Sequence, residues 1–181
     1  MRKIFLTAGL VAALMMTLAV SAAAPASFAG TWKLDKSKSQ NLNRRQQGAD
    51  SVVWTITQSD KDITIEEKLT GGEMAGGGPG GGGGGGRGGF GGPMGPRTYN
   101  LDGSEVPFES GPAKGTRKAT WSNDGKTLEL SSKSTFSGQN GEVTATSTDK
   151  LAVSGDGKTL TVNSHRESPR GPQDSTLVFS K

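Results

Sequence analysis

The chain has 181 residues, a formal net charge of +4, 29 glycines and no cysteine. A chain without cysteine has no disulfides, no thiolate metal ligands and no lipid attached at a cysteine. Two of the positive charges sit at positions 2 and 3. The remainder is therefore close to neutral, which argues against a basic nucleic-acid binder.

Residues 1–24 read as a secretory signal peptide. Arg2 and Lys3 form a basic start, Ile4 to Val20 is almost entirely apolar, and Ser21, Ala22, Ala23 and Ala24 supply the small residues of a cleavage site. Cleavage after Ala24 leaves about 157 residues, the usual size of one domain, with the net charge reduced to +2. This predicts a periplasmic or secreted protein with no stable membrane anchor after cleavage.

From residue 28 to 181 the pattern alternates with period two. Segments rich in Thr, Val, Ile and Leu are separated by Gly, Asp and Asn turns, and no helical stripe interrupts them. Ten strands are predicted, over 30–35, 51–58, 62–70, 97–101, 105–109, 116–122, 127–137, 141–153, 159–168 and 175–180. "WSNDGKTLELSS" and "AVSGDGKTLTVNS" repeat one another, each a hairpin turning on Asp-Gly. "SDKD" and "LDGSE" are weaker versions of the same turn.

The fold class this implies is all-β: a single up-and-down antiparallel β-barrel of about 8–10 strands. In that arrangement the tight turns at 59–62, 102–104, 123–126 and 155–158 share one end. The longer connections gather at the other. Closing the sheet also removes its exposed edges.

The longest connection is the Gly-rich segment 71–96. Seventeen of residues 71–97 are glycine, too little apolar surface to offset the entropy of ordering them. It reads as a disordered loop inserted between two strands and dispensable for folding, because loop-closure cost grows slowly with length. The other readings are a lid over the barrel mouth and a surface-contact loop. Arg87-Gly88-Gly89-Phe90 is a single copy of an RGG-type repeat with one aromatic, which does not make a nucleic-acid site.

Parity along the strands predicts which side chains face inward. Strand six contributes Arg117, Ala119 and Trp121. Strand seven contributes Leu128, Leu130, Ser132, Ser134 and Phe136. Strand eight contributes Val143, Ala145, Ser147, Asp149, Leu151 and Val153, and strand nine Leu160, Val162, Ser164 and Arg166. On strand three Glu67 joins Ile63, Ile65 and Leu69. The tight turns set the register. They align Trp121, Leu128, Leu151 and Val162 in the layer nearest the tight-turn end, then Ala119, Leu130, Asp149 and Ser164, then Arg117, Ser132, Ser147 and Arg166. The interior thus grades from apolar to polar towards the mouth. Such a lining leaves room for water or a ligand. The candidate ligand-binding residues are Arg117, Arg166, Ser132, Ser147, Asp149 and Glu67. Two inward arginines call for anionic partners. These are either a ligand or internal carboxylates, with Asp149 diagonal to Arg166 and Glu67 near Arg117.

"FAGTWKLD", with Gly30 and Trp32, resembles the Gly-x-Trp start of the lipocalins in the calycin superfamily. "YNLDGSEVPF" and the Asp-Gly hairpins are similar to bacterial secreted lipocalin-like domain proteins. The resemblance covers residues 28–181 outside the Gly-rich insertion. It implies that Trp32, with Gly30, lies across the closed end of the barrel, where the register above sets Trp121, and that an arginine near the chain terminus packs on Trp32. No arginine is there: the chain ends Phe179-Ser180-Lys181. A divergent ten-stranded calycin and an eight-stranded lipocalin both remain open. The resemblance also implies that an interior arginine grips an acid headgroup, as in the related fatty-acid-binding barrels.

Catalytic patterns are missing. The single histidine, His165, falls on the outward parity with Thr161 and Asn163, and no Gly-x-Ser-x-Gly elbow occurs. No His cluster suggests a metal, no Gly-Lys-Ser/Thr closes the glycine run, and the Asp turns lack the carboxylates of a calcium loop. The expected function is a non-enzymatic secreted barrel without cofactor, holding a small hydrophobic or acidic ligand. The alternative is a filled barrel acting as an interaction module of the cell envelope, with the Gly-rich loop as contact surface.

Overall fold

The computed structural model describes residues 25–71, 95–138, 141–169 and 171–181. The predicted signal peptide and most of the Gly-rich segment lie outside the described residues. The ten strands are β1 (Gly30–Leu34), β2 (Ser51–Gln58), β3 (Asp62–Thr70), β4 (Arg97–Asn100), β5 (Val106–Ser110), β6 (Ala113–Trp121), β7 (Thr127–Gly138), β8 (Gly141–Val153), β9 (Thr159–Glu167) and β10 (Gln173–Ser180). All belong to one antiparallel sheet in the order β4-β3-β2-β1-β10-β9-β8-β7-β6-β5. Pairing of β1 with β10 joins the two halves, and the sheet curls into a nearly closed barrel. Among the described residues the strand count is therefore ten, not eight.

One helix departs from the sequence expectation. α1 (Arg44–Gly48) lies in the connection between β1 and β2. Five residues are too few to show a 3.6-residue stripe. The helix is held instead by a capping box: Asn43 Oδ1 accepts from Gln46 N at 2.9 Å, and Gln46 Oε1 accepts from Asn43 N at 3.3 Å.

The two repeated sequences fold into the same turn. Asp124 Oδ1 accepts from Ser122 Oγ (2.6 Å) and Lys126 N (3.1 Å), and Ser122 Oγ accepts from Thr127 N (3.0 Å). Asp156, Ser154, Lys158 and Thr159 repeat these bonds at 2.5, 3.1 and 3.0 Å. Gly125 and Gly157 take φ of 67° and 69°, the left-handed region each turn requires. The hydrogen bonds from Ser122 and Ser154 hold the Asp124 and Asp156 carboxyls below the usual range.

The tight-turn end is plugged by the segment before β1. Ala26 N donates to Gly125 O (2.9 Å) and Phe28 N to Gln58 Oε1 (2.8 Å). The Phe28 ring stacks on Trp121 at 5.8 Å, and its carbonyl accepts from Trp32 Nε1 at 2.7 Å. Trp32 is fully buried. Trp121 is only half-buried, although the fully buried Phe28 ring stacks on it. The cation over Trp32 is supplied by the last residue, Lys181, with Nζ 4.5 Å from the ring centroid. A lysine thus stands where the lipocalin resemblance implies an arginine. This also explains Gly30: its φ is 134°, and a Cβ there would stand 2.9 Å from Lys181 Cε.

Above this plug, Ile56, Ile63, Leu128, Leu151, Leu160, Val162, Leu177 and Phe179 fill the barrel. Their inward faces follow from strict alternation on every strand.

Candidate functional site

The register places the inward residues in the layers that the turns predict. Trp121 pairs with Leu128, Leu128 with Leu151, and Leu151 with Val162. Ala119, Leu130, Asp149 and Ser164 form the next layer, and Arg117, Ser132, Ser147 and Arg166 the third. Ile63 and Ile65 are buried, and Glu67 and Leu69 half-buried, on the same parity of β3.

The charged partners differ from those expected. Asp149 does not turn to Arg166. It accepts from Ser164 Oγ and pairs with Arg97 Nη1 at 3.8 Å, both side chains less than a tenth exposed. Arg97 belongs to β4 and Asp149 to β8, so the ion pair crosses the barrel. Glu67 does not meet Arg117; its Oε2 accepts from Trp54 Nε1 at 2.8 Å. Trp54 lies directly across from Glu67 in the β2–β3 ladder, which brings the indole N–H to the carboxylate. The Arg97 guanidinium also lies 5.2 Å from the Trp54 ring centroid, and Phe179 packs on the same ring at 4.7 Å. No buried side-chain polar atom among the described residues lacks a partner.

Arg117 and Arg166 stand in the third layer on either side of Ser132 and Ser147, whose Oγ atoms are 2.9 Å apart. Arg117 is half-buried, and its guanidinium lies 4.0 Å over the Phe108 ring. Burial lowers its pKa. Arg166 is exposed. Among the described residues neither makes an ion pair with a carboxylate. Exposure of Arg166 and the aromatic stack under Arg117 remove the need for internal carboxylates.

Tyr99 on β4 lies in the middle of this group. Burial pushes its hydroxyl pKa up; Arg97, Arg117 and Arg166 act against that, and Asp149 adds to it. Towards the mouth the inward positions Leu69, Phe136, Val143 and Ala145 are apolar and half-buried. Arg97, Tyr99 and Trp54 are interior residues of this group that the alternation of the C-terminal strands did not assign. Arg97 and Tyr99 follow the same alternation as Ile63 and Ile65, their ladder partners. That register becomes legible only once β3 and β4 are known to pair across the Gly-rich connection.

On the outer face His165 has the predicted parity. Its Nδ1 is 2.7 Å from Asp174 Oδ1 and its Nε2 3.6 Å from Glu167 Oε1, and these carboxylates raise its pKa. A polar groove of 370 Å³ beside it is lined by residues such as Gln40, Asn41, Lys150 and Thr176. No group of three His, Asp or Glu among the described residues could hold a metal ion.

The site thus belongs to an all-β, up-and-down barrel with an apolar floor and a polar, arginine-bearing upper interior. No protein-family model matches the chain, and no curated protein matches its sequence. Among solved structures the chain is similar to a zebrafish ileal bile acid-binding protein complexed with cholic acid. The identity is 14% and the TM-score 0.46, over 85% of this chain and 98% of that one.

Proposed function

We propose that this chain is a non-enzymatic barrel, exported to the periplasm or beyond, that binds a small amphipathic acid. The acid group lies between Arg117 and Arg166, with Ser132 and Ser147 beneath it. The apolar part rests on Leu69, Phe136 and Val143 towards the mouth. The observation carrying this reading is the charge arrangement of the upper interior: Arg97, Arg117 and Arg166 face two carboxylates, Asp149 and Glu67. Asp149 is taken by Arg97, and Glu67 by Trp54. Among the described residues Arg117 and Arg166 are left without a carboxylate partner, and a ligand carboxylate accepts charge-assisted hydrogen bonds from them.

Calorimetry with a long-chain carboxylate and its methyl ester tests this. The acid binds and the ester does not. Arg117→Met and Arg166→Met each weaken acid binding by about 1.5–3 kcal/mol. Equal binding of acid and ester overturns the headgroup role of the arginines. Failure of both to bind favours the filled-barrel reading, an interaction module of the cell envelope, which the dense packing of the lower half supports.

A further inference from the structure

The barrel has one break. β4 and β5 are consecutive strands joined by a short turn, yet they form no ladder with each other and are the two ends of the sheet. Every other pair of sequence neighbours is laddered. β4 has four residues, β5 has five, and Pro107 in β5 has no N–H to donate.

Val106 pairs with Arg117 and Phe108 with Gly115, so Phe108 shares the inward parity of Arg117. Gly115 offers no side chain against Phe108, and a Cβ there would run into the backbone carbonyl of Lys133. An open surface depression of 480 Å³ is lined by Pro107, Phe108, Glu109, Lys114 and Gly115. These residues come from both faces of the β5–β6 ribbon, which is possible because the sheet ends there. Phe108 is half-buried and held by the Arg117 guanidinium at 4.0 Å. Across the seam, Tyr99 of β4 is buried.

We propose that the β4–β5 seam is a lateral way into the barrel interior, with Phe108 as its gate and Arg117 as the latch. Swinging the Phe108 ring out breaks a stacking contact and no ladder hydrogen bond, so the seam opens without unfolding a strand. An acid drawn to Arg117 competes with the ring for the guanidinium and thereby loosens the gate. The coupling to an acid takes the ligand reading above as its setting; the gate itself is tested without a ligand.

The cysteine-free chain makes the test direct. Ala119→Cys places one thiol on β6 at a fully buried interior position, one layer below Arg117. Val162→Cys places one deep in the floor on β9, also fully buried. The rate of alkylation by iodoacetamide is measured for each, alone and combined with Phe108→Ala or Ser134→Ala. Phe108→Ala raises the rate at position 119 by about tenfold or more and at 162 by less than about twofold. Ser134→Ala, towards the mouth on β7, leaves both within about twofold. An unchanged rate at 119 overturns the gate. An equal rise at both positions also overturns it, because that pattern is global opening. If the rate at 119 rises while no carboxylate binds in calorimetry, the gate stands and the ligand reading falls. If a carboxylate binds while that rate is unmoved, the reverse holds.

Discussion

The two halves of the barrel solve opposite problems. At the tight-turn end, Phe28, Trp32, Leu128, Leu151 and Leu160 are fully buried, and the first strand's plug is bonded to two turns. Towards the mouth the inward side chains are serines, arginines and half-exposed apolar groups. The lower half is where the hydrophobic effect holds the sheet together, at roughly 25 cal/mol per Å² of apolar surface removed from water. The upper half contributes less to stability and holds the groups that a ligand would contact. The boundary between them is the Arg97–Asp149 pair. A crossing ion pair there fixes which strands face each other, while carrying the desolvation cost of two buried charges.

That division predicts a gradient of mutational cost. Trp32→Ala removes a fully buried ring and the hydrogen bond to Phe28, and costs about 3–5 kcal/mol in denaturant unfolding. Leu69→Ala, half-buried above the boundary, costs clearly less. Equal losses would erase the contrast between floor and mouth.

The boundary pair comes next. Arg97→Met leaves Asp149 buried with Ser164 as its remaining partner, and costs about 3 kcal/mol. Asp149→Leu combined with Arg97→Met recovers most of that, because replacing both charges leaves no stranded ion. A double variant as unstable as the single one would mean that the pair stabilises the fold outright.

Smaller effects are expected at the closed end. Gly30→Ala costs about 1–3 kcal/mol, from a left-handed φ that a Cβ disfavours and from displacement of Lys181. Lys181→Ala costs about 0.5–1 kcal/mol, the range for an exposed cation over an indole. Thermal midpoints of the two variants, alone and together, show whether Gly30 and Lys181 act as one unit. A double variant no worse than Gly30→Ala supports that.

The smallest effect is a pH dependence on the outer face. Asp174 and Glu167 raise the pKa of His165 above 6.5. Its contribution to stability is therefore fully present below pH 6.5 and is lost as the pH rises through the raised folded value. The stability difference between the wild type and His165→Gln should narrow over that range. The Ser37 hydroxyl and Lys38 lower the Asp35 pKa to about 2. That stability is present above pH 3.8 and disappears as the pH falls towards 2. Denaturant midpoints across both ranges check the two signs.

How much of this was legible in the sequence depends on the distance between partners. Alternation and the Asp-Gly turns determined the ten strands, and several limits, such as 51–58, 62–70 and 141–153, agree to the residue. They also determined the layers across β6 to β9, because a tight turn sets the register of the two strands it joins. The class of fold and the apolar-to-polar grading followed from the same local rules. Tertiary structure decided the rest. Arg97 and Tyr99 sit beyond a glycine-rich connection whose length specifies no register, so their facing became visible only in the β3–β4 ladder. Asp149 finds Arg97 because closing the sheet brings β4 opposite β8. Lys181 reaches Trp32 because β10 pairs with β1. The seam beside Phe108 exists because that closure stops one ladder short. Local sequence encodes turns and parity; which strands meet across the barrel is set by how the whole sheet closes, and no single segment carries that information.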